Sequence, residues 1–289
     1  MAQSVPGKWI QNRKVERKAS LLPREHGAWA MLLQPFAGAL IVLHHLTWAV
    51  VPASSAVVLI FVLREPLTVL ARQKWTWKTQ RPETHEARIY LAFELAGLAA
   101  SGILLFLVWP IQLLAILGGG AAILTLLAVY MTLKNRQRSV WLQALSAAGL
   151  SSSALAACLA VSGTIPPWCW WLWGLHSAHF FAGILVVHVR LEARIAARKG
   201  ASIFTAAYLS IRREAMFVQV MILAVSVWLL AGGRILFGAA LLLSAAVHIW
   251  DVIHVHTARA LALPMASVGK RALAVSIAFT TITILGSLL

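Results

Sequence analysis

A histidine beside a glutamate opens the first apolar stretch of this chain, in Arg24-Glu25-His26-Gly27-Ala28-Trp29. Imidazole titrates near neutral pH, so a His next to a carboxylate can take and give a proton. Glu25 and His26 are therefore the candidate acid/base pair, with Arg24 beside them to hold an anion. A plainer reading uses the same residues as an interfacial entry, in which Arg snorkels, Trp anchors and Glu favours a helix N-terminus.

Further along, arginines recur in two polar segments. The first contains Arg64-Glu65-Pro66 and Arg72. Pro66 suits the first turn of a short helix. The second contains Arg190, Glu192, Arg194 and Arg198. Arginines four residues apart share one face of a helix, and Gly200 stands where such a helix would end. Guanidinium pairs with phosphate or carboxylate in a bidentate fork, so Arg64, Arg72, Arg190 and Arg194, with Glu65 and Glu192, are candidate ligand-binding residues.

A third group is His248, Asp251 and His254. At about 100° per residue these lie within about 120° of one helical face. Imidazole and carboxylate there could hold a divalent metal, relay protons or cap the helix. The spacing does not choose, so metal and cofactor stay unassigned; His248 and Asp251 join the ligand-binding candidates. His176, His179 and Glu94 fall inside apolar stretches, where ionisable groups are costly and suggest function.

Apolar spans must position these residues. The chain has 289 residues, 60% hydrophobic and 12% charged, with a mean hydropathy of +0.80. About 20 mostly apolar residues cross a bilayer. Nine stretches qualify: 27–45, 47–63, 88–109, 111–133, 140–162, 167–189, 214–231, 234–250 and 269–288. The expected fold is an all-α membrane bundle of about nine transmembrane helices. A basic arm (1–26) precedes one membrane domain (27–289), whose longer polar loops are 64–88, 190–213 and 251–270. Junctions at 44–47, 109–110 and 163–167 read as hairpin turns.

Charge sets the orientation. Net charge is +16, with 25 Lys and Arg against 9 Asp and Glu. Every Lys and Arg except Arg234 falls in the arm or in alternate loops. The positive-inside rule then puts the N-terminus in the cytosol and the C-terminus outside. The basic balance is thus a topology signal, not a nucleic-acid footprint. Trp48, Trp109 and Trp168 to Trp173 fall at the other end, as interface anchors. The first apolar stretch lacks a small-residue cleavage site and reads as an uncleaved helix. Cys158 and Cys169 form no metal or redox motif and read by default as small apolar residues, with a disulfide as the alternative. Gly118-Gly119-Gly120 suggests close helix packing.

Arg24-Glu25-His26-Gly27-Ala28-Trp29, followed by an apolar span with Pro35, resembles the opening motif of the YwiC-like family of bacterial membrane proteins. Arg64-Glu65-Pro66 and the basic stretch after the sixth span are similar to that family's other inner segments. The resemblance implies a bacterial cytoplasmic membrane but no activity. The span layout is also similar, more distantly, to the UbiA-type intramembrane prenyltransferases. That likeness implies Asp-rich, Mg²⁺-holding motifs in the loops after the second and sixth spans. Here those loops offer Arg64, Glu65, Arg72 and Arg190, Glu192, Arg194, and Asp251 is the only Asp in the chain.

Three functions fit. The first is a UbiA-like bundle whose basic inner cavity binds an anionic amphipathic lipid or isoprenoid-type ligand without Asp-held Mg²⁺. The second is an accessory subunit meeting a protein partner through its basic face. The third is a permease for a small anion, using His176, His179 and a basic vestibule.

Overall fold

The computed structural model describes residues 26–79, 82–200 and 202–289, and for His26 the backbone alone. Among them every regular element is helical. Twelve α-helices follow in order: α1 (His26–Leu43), α2 (Val50–Val62), α3 (Arg64–Ala71), α4 (Glu83–Phe106), α5 (Ile111–Leu133), α6 (Val140–Ser151), α7 (Ser153–Ser162), α8 (Pro167–Arg198), α9 (Ala206–Ala231), α10 (Ile235–His254), α11 (Ala258–Ala262) and α12 (Met265–Leu288).

Among the described residues seven stretches are long and apolar enough to cross a membrane, which makes this a polytopic membrane bundle: Val50–Trp77, Glu83–Phe106, Ile111–Leu133, Val140–Ser162, Ala206–Ala231, Ile235–His254 and Met265–Leu288. Two of the nine expected spans fall outside that set. Helix α1 has a shorter apolar part, Gly27–Leu43. Helix α8 has 32 residues, of which the last turns carry Arg190, Glu192, Arg194 and Arg198.

Several boundaries differ from expectation. The second span does not stop at 63. Helix α3 follows α2 with only Leu63 between, and a π-helical turn, Arg72–Trp77, extends the rod. Most of the expected 64–88 loop is therefore helix, because Pro66 sits in the first turn of α3, where its missing N–H costs nothing. The hydroxyl of Thr84 at the start of α4 donates to Gln73 Oε1 of the π-turn, fastening the two rods. The fifth span is broken at Ser152 into α6 and α7. Helices α9 and α12 begin at Ala206 and Met265, earlier than expected, so loops 190–213 and 251–270 are also largely helical.

Other local readings hold. Helix α8 runs past the apolar stretch to Arg198, and Gly200 follows in the left-handed conformation, with φ of 63°. The 163–167 turn begins at Gly163, also left-handed, and Pro167 opens α8. Thr205 caps α9, its hydroxyl accepting from Tyr208 N–H at 3.2 Å.

Helix α8 lies at the centre, packed on α6, α9, α10, α12 and α1. One core joins it to α9, α10 and α12 through Leu175, Ala182, Ile222, Leu229, Phe237, Leu241 and Phe279. Another joins α1, α7 and α8 around Phe36, Leu155 and Leu172. Helix α5 is different, since almost none of its apolar stretch is buried. A Cβ on Gly118, Gly119 or Gly120 would meet nothing within 4 Å. Among the described residues these glycines mediate no close packing, contrary to expectation: they face away from the helices that α5 touches.

Cys158 and Cys169 form a disulfide between α7 and α8. The expectation of two unpaired thiols is corrected. Spacing alone could not show that the Gly163 hairpin brings them face to face.

Candidate functional site

The basic end of the bundle gathers the C-terminal ends of α8 and α10 and the start of α12. Asp251 on α10 accepts from Arg271 on α12, with Oδ1 and Nη1 2.8 Å apart. Arg190 on α8 is buried, and the charges of Asp251, Arg194 and Arg271 act on it. Arg190 lies one residue past the expected end of the sixth span. Burial pushes its pKa down; Asp251 opposes this, and Arg194 and Arg271 add to it. Guanidinium still stays protonated in proteins, so a buried cation sits here. His248 is buried one turn before Asp251, with Nδ1 unpartnered among the described residues. Of the expected ligand residues, Arg190, Arg194, His248 and Asp251 are therefore neighbours.

Glu192 turns elsewhere, toward Arg138 of the α5–α6 loop at 3.9 Å. His254 also leaves the group. Its ring stacks on Trp250 at 3.8 Å, and its Nδ1 lies 2.9 Å from the Trp250 carbonyl oxygen. The expected shared face of His248, Asp251 and His254 thus does not become a ligand set. Among the described residues no group of three or more His, Cys, Asp or Glu is placed to hold a metal ion.

Arg64 and Glu65 lie on a different part of the bundle, on α3, which packs on α4 and α5. They pair with each other at 3.0 Å. Arg72 starts the π-turn. The mouth of α1 adjoins this segment: Ala28 and Leu32 cluster with Phe61 and Val62, and the Trp29 and Phe61 rings meet edge to face at 4.9 Å. Arg24 and Glu25 lie outside the described residues, as does the His26 side chain. Glu94 is buried on α4 with Oε2 unpartnered among the described residues.

Two open grooves flank the basic end. One, of about 490 Å³, runs between the end of α8, α11 and the start of α12, with Arg194 and Arg198 facing Leu261, Leu263 and Met265. The other, of about 500 Å³, lies along the start of α9, with Arg212 and Arg213 beside Leu209 and Met216. Arg194 and Arg212 each bury an Nε that has no acceptor among the described residues. Arg198, Arg212 and Arg213 were not singled out as site residues from the sequence. The fourfold arginine spacing already carried the signal for Arg198.

Residues 22–158 match the family model described as YwiC-like protein. That is a little under half of the chain, from just before α1 into α7. The likeness therefore covers Arg24, Glu25, His26, Arg64, Glu65 and Arg72 but stops short of the α8–α12 cluster. No curated protein and no solved structure matches the chain.

Proposed function

We propose that this polytopic membrane protein binds an anionic amphiphile, a membrane lipid or an isoprenoid-type ligand, at its basic end. The observation that carries the reading is the α8–α11–α12 groove. Arginines line it beside apolar side chains, and one Arg194 N–H is buried without an acceptor among the described residues. A buried unpaired donor is costly. A phosphate or carboxylate headgroup would satisfy it while its chain lies on Leu261, Leu263 and Met265.

In this reading α1 and α8 also cross the membrane, making nine spans in a UbiA-like arrangement of a bacterial cytoplasmic membrane. The N-terminus is cytosolic and the C-terminus outside, since every Lys and Arg except Arg234 falls in the arm or in alternate loops. In this reading Arg190, His248 and Asp251 stand behind the groove on α8 and α10, outside its lining. Arg64, Glu65, Arg72 and Arg24 form a second anion-holding patch at the mouth of α1, with Glu25 and His26 as its acid/base pair. Glu65, Glu192 and Asp251 each already face an arginine, which supports anion binding over Asp-held Mg²⁺.

A second reading, a protein partner in the membrane, is favoured by the barely buried α5 and its open glycines.

Mass spectrometry of lipids co-purified in mild detergent tests the first reading. An Arg194→Ala/Arg198→Ala variant should lose anionic lipid several-fold relative to the parent. Identical lipid profiles would sink the proposal.

A further inference from the structure

The middle of the bundle holds polar side chains that the basic-end grooves do not use. They are His176 and His179 on α8, Ser244 and His248 on α10, Ser276 and Thr280 on α12, and Gln34 on α1. All but Gln34 are buried. Hydrogen bonds join His179 to Ser244 and, separately, His176, Thr280, Ser276 and Gln34, across four helices. His179 Nδ1 lies 2.7 Å from Ser244 Oγ. His176 Nε2 lies 3.1 Å from Thr280 Oγ1. The hydroxyls of Ser276 and Thr280 both reach Gln34 Oε1, that of Thr280 at 3.4 Å.

The position of one hydrogen follows from valence. His176 Nδ1 lies 2.8 Å from the Leu172 carbonyl oxygen, which only accepts. Nδ1 must therefore carry a hydrogen, and a neutral His176 presents a bare Nε2 lone pair to Thr280. The Thr280 hydroxyl has one hydrogen and two acceptors in reach, Nε2 and Gln34 Oε1. With His176 neutral, it donates to Nε2. With His176 protonated, Nε2–H donates to Thr280 Oγ1, and the hydroxyl hydrogen turns to Gln34.

We propose that His176, Thr280 and Gln34 form a proton-binding site inside the bundle, in which the Thr280 hydroxyl transmits the occupancy of His176 to the contact between α12 and α1. The ligand is a single proton from water at the basic end. It forms one N–H bond at Nε2 and leaves by breaking it.

Two features set the surroundings of this place. The Phe279 ring stacks on His179 at 4.2 Å and stands nearly perpendicular to the His176 ring at 5.4 Å, and Phe180 lies within 5.7 Å of both imidazoles. The second feature is a line of side chains from the basic end as far as His179, which lies one turn along α8 from His176. His248 stands between the Asp251–Arg271 pair and the centre, its ring parallel to that of His179 at 5.6 Å, with Nδ1 unpartnered among the described residues. It lies one helical turn from Ser244, which bonds His179.

The titratable groups around the site are few. Helix α8 contributes His179. Helix α10 contributes His248 and, at its end, Asp251. Arg271 of α12 acts on His248. Helices α6 and α7 carry no charged residue, and α9 has Arg212, Arg213 and Glu214 near its basic end.

The test uses the full chain in lipid nanodiscs, with ¹⁵N-labelled histidine and glutamine side chains read by NMR between pH 8 and pH 4. Difference spectra against His176→Gln and Gln34→Met assign the two signals. The expected result is that His176 passes to imidazolium, the Gln34 amide shifts with the same midpoint, and Thr280→Val abolishes the Gln34 shift. Circular dichroism and thermal melting check that each variant folds. A His176 signal that stays neutral to pH 4 would overturn the proposal. So would a His176 titration that leaves Gln34 unmoved, or a Gln34 shift that persists in Thr280→Val.

Discussion

Asp251 on α10 and Arg271 on α12 meet at 2.8 Å, and Arg190 on α8 shares the field of that carboxylate. One anion thus serves cations from two helices, while the outer face of the Arg271 side chain remains about half exposed.

That sharing orders the effects of substitution. Arg271→Gln leaves Asp251 with Arg190 and should lower the thermal midpoint slightly; a pair with one half-exposed and one mostly covered partner contributes about 1 kcal/mol. Asp251→Asn leaves two arginines facing each other and should cost more. Melting curves of the two single variants and the double variant in detergent measure the coupling. A larger loss for Arg271→Gln would contradict this arrangement.

The Cys158–Cys169 bond closes a loop of 11 residues in sequence separation. Closing such a loop stabilises by about 2–3 kcal/mol in the chain-entropy picture. The Cys158→Ala/Cys169→Ala variant should melt at a lower temperature. Denatured protein should bind maleimide at two sites only after reduction; labelling without reductant would show unpaired thiols.

Glycines on α10 and α5 should respond oppositely to the same change. A Cβ at Gly238 would stand 2.6 Å from the Leu230 side chain and 2.9 Å from the Ser226 backbone oxygen, where the Ser226 hydroxyl also bonds the Gly238 carbonyl. Gly238→Ala should destabilise by about 1–3 kcal/mol. Gly119→Ala meets nothing within 4 Å and should leave stability unchanged or raise it by less than about 1 kcal/mol. Equal losses at both positions would mean that α5 is packed in the folded protein.

Membrane crossing by α8 is open to direct measurement. In a cysteine-free background, single cysteines at His45 and Lys199 lie beyond the ends of α1 and α8, both exposed. An impermeant maleimide added to intact cells should label position 45 and spare position 199. The reverse result would invert the proposed orientation. Labelling at both positions, or at neither, would mean that the rods between them do not cross an odd number of times.

The sequence by itself determined where the apolar rods and their turns lie, because hydropathy and turn chemistry are local. The breaks at 44–47, 109–110 and 163–167 and the left-handed Gly200 were readable without neighbours. So was the helical extension carrying Arg190, Arg194 and Arg198. It did not show that Val50 to Trp77 is one rod. A window dominated by Arg, Lys and Gln looks like a loop until Gln73 is seen fastened to Thr84. Nor did it show which charges meet. His248, Asp251 and His254 share a helix face on paper, yet Trp250 takes His254, and Arg271, 20 positions along the chain from Asp251, pairs with that carboxylate. The same holds for His176, whose partner Thr280 comes from the last helix and in turn bonds Gln34 of the first. Such pairings depend on which helices are neighbours and how each is rotated, and only the tertiary structure decides that.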